Sequence, residues 1–202
     1  ELLAKYRLKE GLNGQVLAIN AEQLLQGDDA LEHHGHVIRE RIDQLIRLFD
    51  KRFPIFLLIT KCDRIYGFEQ WAQTLPAEAL GQAMGYVGPL EDGDGAEARF
   101  SDQALDQITT RLKQLRLDMG VKGVELSAPL LLLPEEIERL RGGLKRFLAA
   151  CMGNNPYLEQ PLLRGLFLSS ARQDGGVLPS LLGSLIQSTD TPQVTEKGTF
   201  LQ

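Results

Sequence analysis

The sequence predicts an α/β fold built on a parallel β-sheet, and two observations carry this prediction. Three short runs are almost entirely apolar, without alternating polar residues, which is typical of strands that helices cover on both faces of the sheet. A long helical pattern separates the first two runs, as expected for a right-handed βαβ unit. The chain of 202 residues, 43 % of them hydrophobic, is long enough to bury a sizeable core.

The first predicted strand is 15–19, the second is 55–60 and the third is 165–169. Between the first two, apolar residues recur at spacings of three and four from Val37 to Phe49, which predicts an amphipathic helix. Its opposite face is predicted to be polar, with these charged residues: Arg39, Glu40, Asp43 and Arg47.

The interval between the second and third strands is too long for a loop, and its periodicity predicts a helical insertion. One helix is predicted at 68–80, another from Ser101, and a third from Pro134, since proline is favoured at the first helical position. The acidic, glycine-rich segment 91–97 is predicted to be a mobile loop.

After the third strand, a final short helix is predicted at 178–186. The domain prediction assigns an α/β half-domain to 1–66 and 155–188, the helical insertion to 67–154, and a linker or docking tail to 189–202.

The charge and cysteine content narrow the classes of function. A net charge of −5 argues against nucleic acid and against an anionic membrane surface as partners. Cys62 and Cys151 lack metal-ligand spacing, so free thiols in a reducing compartment and no metal site are expected. No apolar run reaches the roughly 18 residues that a spanning helix needs. Because the chain starts without Met or a signal peptide, we expect a piece of a larger protein.

The second strand ends in Thr60-Lys61-Cys62-Asp63, which resembles the Asn-Lys-x-Asp motif that guanine-nucleotide-binding proteins use to read the base. A fixed carboxylate accepts hydrogen bonds from guanine N1–H and the N2 amine together. Asp63 is predicted to take this role on an exposed loop, Lys61 to lie along the purine face, and Thr60 to fix the loop.

The third strand is followed by Ser169-Ser170-Ala171, similar to the Ser-Ala-Lys turn that offers a backbone N–H to guanine O6. Either motif alone has an ordinary explanation as a strand end or a capping turn. Their joint occurrence, each after an apolar strand, favours a base-binding site at the carboxyl end of the sheet.

The sequence has no G-x-x-x-x-G-K-[ST] phosphate loop. Base contacts without phosphate contacts give little affinity. We therefore expect no enzymatic activity and no cofactor for this chain alone, while GTP or GDP with Mg²⁺ remains an expectation for a longer protein that supplies the missing half.

Three stretches carry a resemblance to the TssM/IcmF family of type VI secretion inner-membrane proteins: LLAKYRLKEGLNGQVLAINAEQLL, LLITKCDRIYGFEQW and NPYLEQPLLRGLFLSSARQDG. The resemblance extends over nearly the whole chain, and the block 155–175 is its most specific part. It implies the C-terminal part of a cytoplasmic, P-loop-GTPase-like domain interrupted by a helical region, in a protein anchored to the membrane by other segments.

The resemblance also implies a scaffolding role at the cytoplasmic face of the bacterial inner membrane, with TssL, TssJ and baseplate proteins as partners. The helical insertion and the sheet edge are then candidate docking surfaces. Two alternatives stay open: a truncated GTPase switch whose upstream half supplies the phosphate loop, and an unrelated α/β domain in which the base motifs are coincidental.

Overall fold

The computed structural model describes residues 12–27, 29–75, 82–90, 92–123, 125–155 and 159–170. The strands are β1 Gln15–Asn20, β2 Pro54–Thr60, β3 Met84–Val87 and β4 Leu162–Leu168. The helices are α1 Ala21–Gln26, α2 Asp29–Phe49, α3 Phe68–Thr74, α4 Ala96–Val121, α5 Ala128–Glu138 and α6 Leu140–Met152. A short 3₁₀ turn, Cys62–Arg64, follows β2.

The four strands form one mixed sheet in the order β1-β2-β4-β3. Three of them correspond to the predicted strands, and β1, β2 and β4 are parallel, which confirms the βαβ unit around α2. The fourth strand, β3, was not predicted: it lies in the interval expected to be helical and pairs antiparallel with β4. Four residues are too few to show a period of two in the sequence.

The sheet is not covered equally on its two faces, contrary to the prediction. On one face, Leu57, Ile59 and Leu166 are completely buried and belong to the single hydrophobic cluster that the described helices share. On the other face, Val16 is 62 % exposed and Phe56 is half-buried. Among the described residues, the helices therefore pack on one face only.

Helix α2 was predicted correctly, but two of the four charged residues on its predicted polar face are not exposed. Arg39 and Asp43, expected in solvent, are buried. The Arg39 guanidinium contacts both oxygens of Asp43 through Nε, at 2.9 and 3.1 Å. It also donates to the carbonyl oxygens of Gly153 at 2.7 Å and Glu159 at 3.3 Å. Through these hydrogen bonds, Arg39 connects α2 to the segment between α6 and β4.

The helices of the interval 67–154 differ from prediction at their ends. Helix α4 begins at Ala96, after Gly95 with φ 71°, so it takes in part of the predicted loop 91–97 and starts before Ser101. Pro134 lies inside α5, which begins at Ala128, and does not start a helix. Prolines are favoured at helix starts, but the apolar run before Pro134 already forms a helix here, so this boundary was wrong.

Helix α6 is the centre of the helical layer, in contact with α1, α2, α4 and α5. Helix α3 ends at Thr74, because Leu75 has an extended backbone with ψ 140°, so the predicted helix 68–80 was too long; residues 76–81 lie outside the described residues. The helix predicted at 178–186 and the tail at 189–202 also lie outside them. The division of the chain into a half-domain and an insertion stays a prediction.

Candidate nucleotide-base site

The two base-reading motifs lie side by side because they follow neighbouring parallel strands. The Ser169 N–H donates to the carbonyl of Ile59 at 2.8 Å, and the Cys62 N–H donates to the carbonyl of Ser169 at 3.1 Å. These bonds continue the β2–β4 pairing beyond the last residue of β4. The sequence prediction that both motifs meet at the carboxyl end of the sheet therefore agrees with the geometry.

Asp63 is buried and held in place, contrary to the prediction that it lies on an exposed loop. Its side chain is 7 % exposed. The Ser170 hydroxyl donates to Oδ1 at 2.8 Å, and the Arg64 guanidinium Nε lies 3.8 Å from Oδ2. The serine after the second strand thus orients the carboxylate after the first. The 3₁₀ turn that follows Lys61 draws the carboxylate inward, which a sequence pattern does not specify.

Lys61 makes the turn that separates the strand from the 3₁₀ segment. Its backbone is left-handed, with φ 56° and ψ 38°, a conformation that costs a non-glycine residue about 1 kcal/mol. The side chain is exposed. An ammonium group on a four-carbon stem at this position is free to lie along a planar ligand bound beside Asp63.

Thr60 does not act as predicted within the loop. Its hydroxyl donates to the carbonyl of Ile19 at 3.1 Å, so it joins the end of β2 to the end of β1. This bond holds the end of β2 in place, and the loop that contains Asp63 begins there.

Cys62 is completely buried, and its Sγ donates to the carbonyl of Ile59 at 3.3 Å. Burial raises the pKa of this thiol to about 12. The thiol is therefore neutral and shielded at physiological pH, which suits a packing role at the variable position of the motif.

Two further observations complete the geometry. Ala171, the third residue of the second motif, lies outside the described residues, so its predicted N–H contact with a base stays a prediction. Arg64 was missed as a site residue, although it directly follows Asp63 in the sequence. Its guanidinium Nε lies 3.8 Å from Oδ2 of Asp63, so it sets part of the electrostatics of the carboxylate.

The residues predicted to read a base lie together at the ends of β2 and β4. One oriented carboxylate, one exposed ammonium and two strand-end serines are together at one edge of the sheet. In the portion of the chain that the structure describes, no group of three His, Cys, Asp or Glu side chains could hold a metal ion. The described helices also include none with the length and apolar content to cross a membrane.

The chain shows clear similarity to known proteins in sequence. Residues 1–202 match the family described as the IcmF-related N-terminal domain. The chain is 34 % identical, over 196 residues, to the type VI secretion system component TssM1 of Pseudomonas aeruginosa. That alignment covers 93 % of this chain and 18 % of the relative. No solved structure matches the chain.

These matches confirm the TssM/IcmF resemblance and association with type VI secretion. They do not confirm the placement in the C-terminal part of a GTPase-like domain, because the matched family is described as an N-terminal domain. This chain belongs to the family of IcmF-related N-terminal domains.

Proposed function

We propose that this chain is a docking domain of a type VI secretion membrane complex, on the cytoplasmic face of the bacterial inner membrane. Its partners are other secretion components, of which TssL, TssJ and the baseplate proteins are the candidates. Membrane attachment is supplied by segments outside this chain. Family membership supports the association with secretion, and the surface of the helical region supports docking.

The observation that carries the proposal is an apolar surface at the end of α4. Leu117 is 68 % exposed and Val121 is 89 % exposed, one helical turn apart on the same side of the helix. Leu131, on the neighbouring helix α5, is also exposed. Clusters of exposed large apolar side chains mark interaction sites more often than isolated ones do.

The test measures binding of purified secretion components to the chain and to two charge-matched variants. Leu117→Glu places a carboxylate in the apolar surface, whereas Gln107→Glu adds the same charge at an exposed position about 15 Å away along α4. We expect Leu117→Glu to weaken binding at least about tenfold and Gln107→Glu to leave it unchanged. Equal affinity of the two variants, or no binding of any component, would refute the proposal.

A second candidate function is guanine-nucleotide binding by a longer protein that contains this chain. The contact between the Ser170 hydroxyl and Asp63 Oδ1 favours it, because this bond fixes a carboxylate beside the exposed Lys61. On this proposal, the upstream half supplies the phosphate loop, with GTP or GDP and Mg²⁺ as ligands.

Calorimetric titration of GDP, GTP and ATP with Mg²⁺ tests this candidate in the chain and in a chain extended upstream. We expect guanine-selective binding by the extended chain, lost on Asp63→Asn and retained on Asp118→Asn, which changes an exposed carboxylate on α4. If the extended chain binds no nucleotide, or if Asp63→Asn binds equally well, the base-site hypothesis is wrong.

A further inference from the structure

The C-terminal half of α4 has an exposed seam without charge. On the outer side of this helix, exposed and uncharged residues recur at the spacings i, i+4, i+7 and i+11: Thr110, Gln114, Leu117 and Val121. The opposite side of the helix is buried, with Leu105, Ile108 and Leu112 in the hydrophobic core. The seam is about 17 Å long, enough for a second helix to pack along it.

Basic side chains flank this seam on both sides. Residues 111–123 contain four cations and one anion, a net charge of +3, in a chain whose net charge is −5. At about 100° per residue, Lys113 lies on one side of the seam, and Arg111 and Lys122 lie on the other side with Asp118. These four side chains are exposed. The seam is thus a neutral strip within a cationic surface.

Three of these cations have no carboxylate partner among the residues that the structure describes: Arg111, Lys113 and Lys122. Arg116 differs, because its guanidinium lies 3.2 Å from the Glu135 carboxylate. A cation is expected beside the C-terminal end of a helix, which accounts for Lys122. Arg111 and Lys113 lie more than two turns earlier, so the helix dipole does not account for them.

The N-terminal half of α4 has the opposite charge, and its carboxylates are paired within the fold. Asp102 and Asp106 each lie 2.6 Å from the guanidinium of Arg141 on the neighbouring helix α6. The Lys145 ammonium lies 2.8 Å from Asp102. The carboxylates of α4 are therefore used to hold two helices together, whereas the cations beside the seam are available to a partner.

A helix suits this seam better than a membrane surface does. Interfacial helices insert a broad apolar face, ordinarily with Trp or Phe, whereas only two of the four seam residues are apolar. The net charge of −5 also opposes approach to anionic lipid. Neutral residues at spacings of three and four, flanked by charges, are the pattern that packs against another helix. The charge that complements this surface is negative.

We propose that the docking partner of this chain contributes an amphipathic helix with an apolar stripe and acidic flanks. Its apolar stripe packs on Leu117 and Val121, and its Glu or Asp side chains lie opposite Arg111 and Lys113. This inference rests on the proposed docking function and names the chemistry of the partner. The apolar contacts supply affinity, and the charged flanks exclude helices with basic flanks through like-charge repulsion.

Two synthetic helices that differ only in the sign of their flanks test the inference. Each is about 18 residues long, so that it is helical in water, and has leucines along one face. One has Glu at the flanking positions, and the other has Lys. Binding of the labelled peptides to the full chain is measured by fluorescence anisotropy. We expect the acidic peptide to bind at least about tenfold more tightly at low salt, and the difference to shrink at high salt.

Charge reversal on the chain identifies the surface that binds. Arg111→Glu with Lys113→Glu should reverse the preference, so that the basic peptide binds more tightly. The matched control is Arg47→Glu with Lys51→Glu, which changes the net charge equally at the end of α2 and should retain the preference for the acidic peptide. All four positions are exposed, so both double variants are expected to remain folded, as circular dichroism can check.

The inference is overturned by equal affinity for the two peptides, by binding of neither, or by the same loss of preference in both double variants. Vesicles of phosphatidylcholine and phosphatidylglycerol in equal amounts test for lipid. If the chain sediments with them and the reversal at Arg111 and Lys113 abolishes this, the seam binds lipid and the inference is wrong. Self-association that is lost on the same reversal identifies a second copy as the occupant, which also overturns it.

Binding of purified secretion components to the same variants separates this inference from the proposed function. If Leu117→Glu weakens the binding of a component but the reversal at Arg111 and Lys113 does not, the docking function stands and the acidic-helix inference fails. If the acidic peptide binds selectively but no component binds, the docking function fails, and the inference that the seam binds acidic helices stands.

Discussion

Replacement of Arg39 by Met is expected to destabilise the fold strongly. The methionine keeps much of the apolar stem of the side chain but removes the guanidinium that contacts Asp43, Gly153 and Glu159. Asp43 then remains buried without its partner, with a side-chain exposure of 7 %. Breaking a buried ion pair by removal of one member costs about 3 to 5 kcal/mol.

The assay is urea unfolding, followed by the fluorescence of Trp71, the sole tryptophan, which packs against Phe68. With a slope of about 2 kcal/mol per molar urea, the expected loss lowers the midpoint by about 1.5 to 2.5 M. The matched control is Arg41→Met in the same helix. Arg41 is exposed and its guanidinium donates to the side chain of Gln44 in the same helix, so a change within about 0.5 kcal/mol is expected.

The double variant Arg39→Met with Asp43→Leu separates the charge from the packing. Because it removes both members of the pair, it should recover most of the lost stability. The reasoning is refuted if Arg39→Met costs no more than Arg41→Met, or if the double variant is less stable than Arg39→Met by the full cost of a second independent substitution.

Three further predictions concern the strands and the site. Asp63→Asn should cost about 1 kcal/mol by weakening the bond from Ser170 and should leave the chain folded; global unfolding on this change, seen by circular dichroism, would contradict it. Leu57→Asp should abolish cooperative unfolding, because it buries an unpaired carboxylate, whereas Leu58→Asp, at a half-buried position on the other face of the sheet, should keep a folded core; the reverse order would show that the faces are assigned wrongly. The free energy of unfolding should fall as pH rises from 9.0 towards about 12, because the Cys62 thiol ionises in the unfolded chain before it ionises in the folded one, and Cys62→Ala should reduce this fall in parallel urea titrations.

Sequence patterns located the parallel strands because their apolar runs are long and uninterrupted. The start of β4 was placed three residues late, at residue 165 and not at Leu162, because Arg164 interrupts the run. Its guanidinium reaches the carbonyl of Gly88 at the end of β3, so a charged residue is accommodated within a strand. Strand β3 itself depends on the edge that β4 offers and has no local signal of its own.

The candidate site was predictable in position but not in detail. Two motifs at the ends of adjacent strands necessarily lie close together, which is why Asp63 and Ser170 meet. The burial of Asp63 follows a left-handed backbone at Lys61. Non-glycine residues rarely adopt this conformation, so the presence of a lysine at this position did not predict it.

The strand order has a consequence for how the chain folds. Strand β2 pairs with β4 across more than a hundred residues, and the two halves of the site, Asp63 and Ser170, are 107 positions apart. At about 5 to 20 residues per second, a ribosome takes about 5 to 20 s to synthesise the segment between them. During this time the edge of β2 that pairs with β4 in the folded sheet remains unpaired. Pairing of such distant segments is slow, so the helices between them gain time to associate first. The edge of the sheet that carries Asp63 and Ser170 is therefore expected to be among the last parts of the molecule to form.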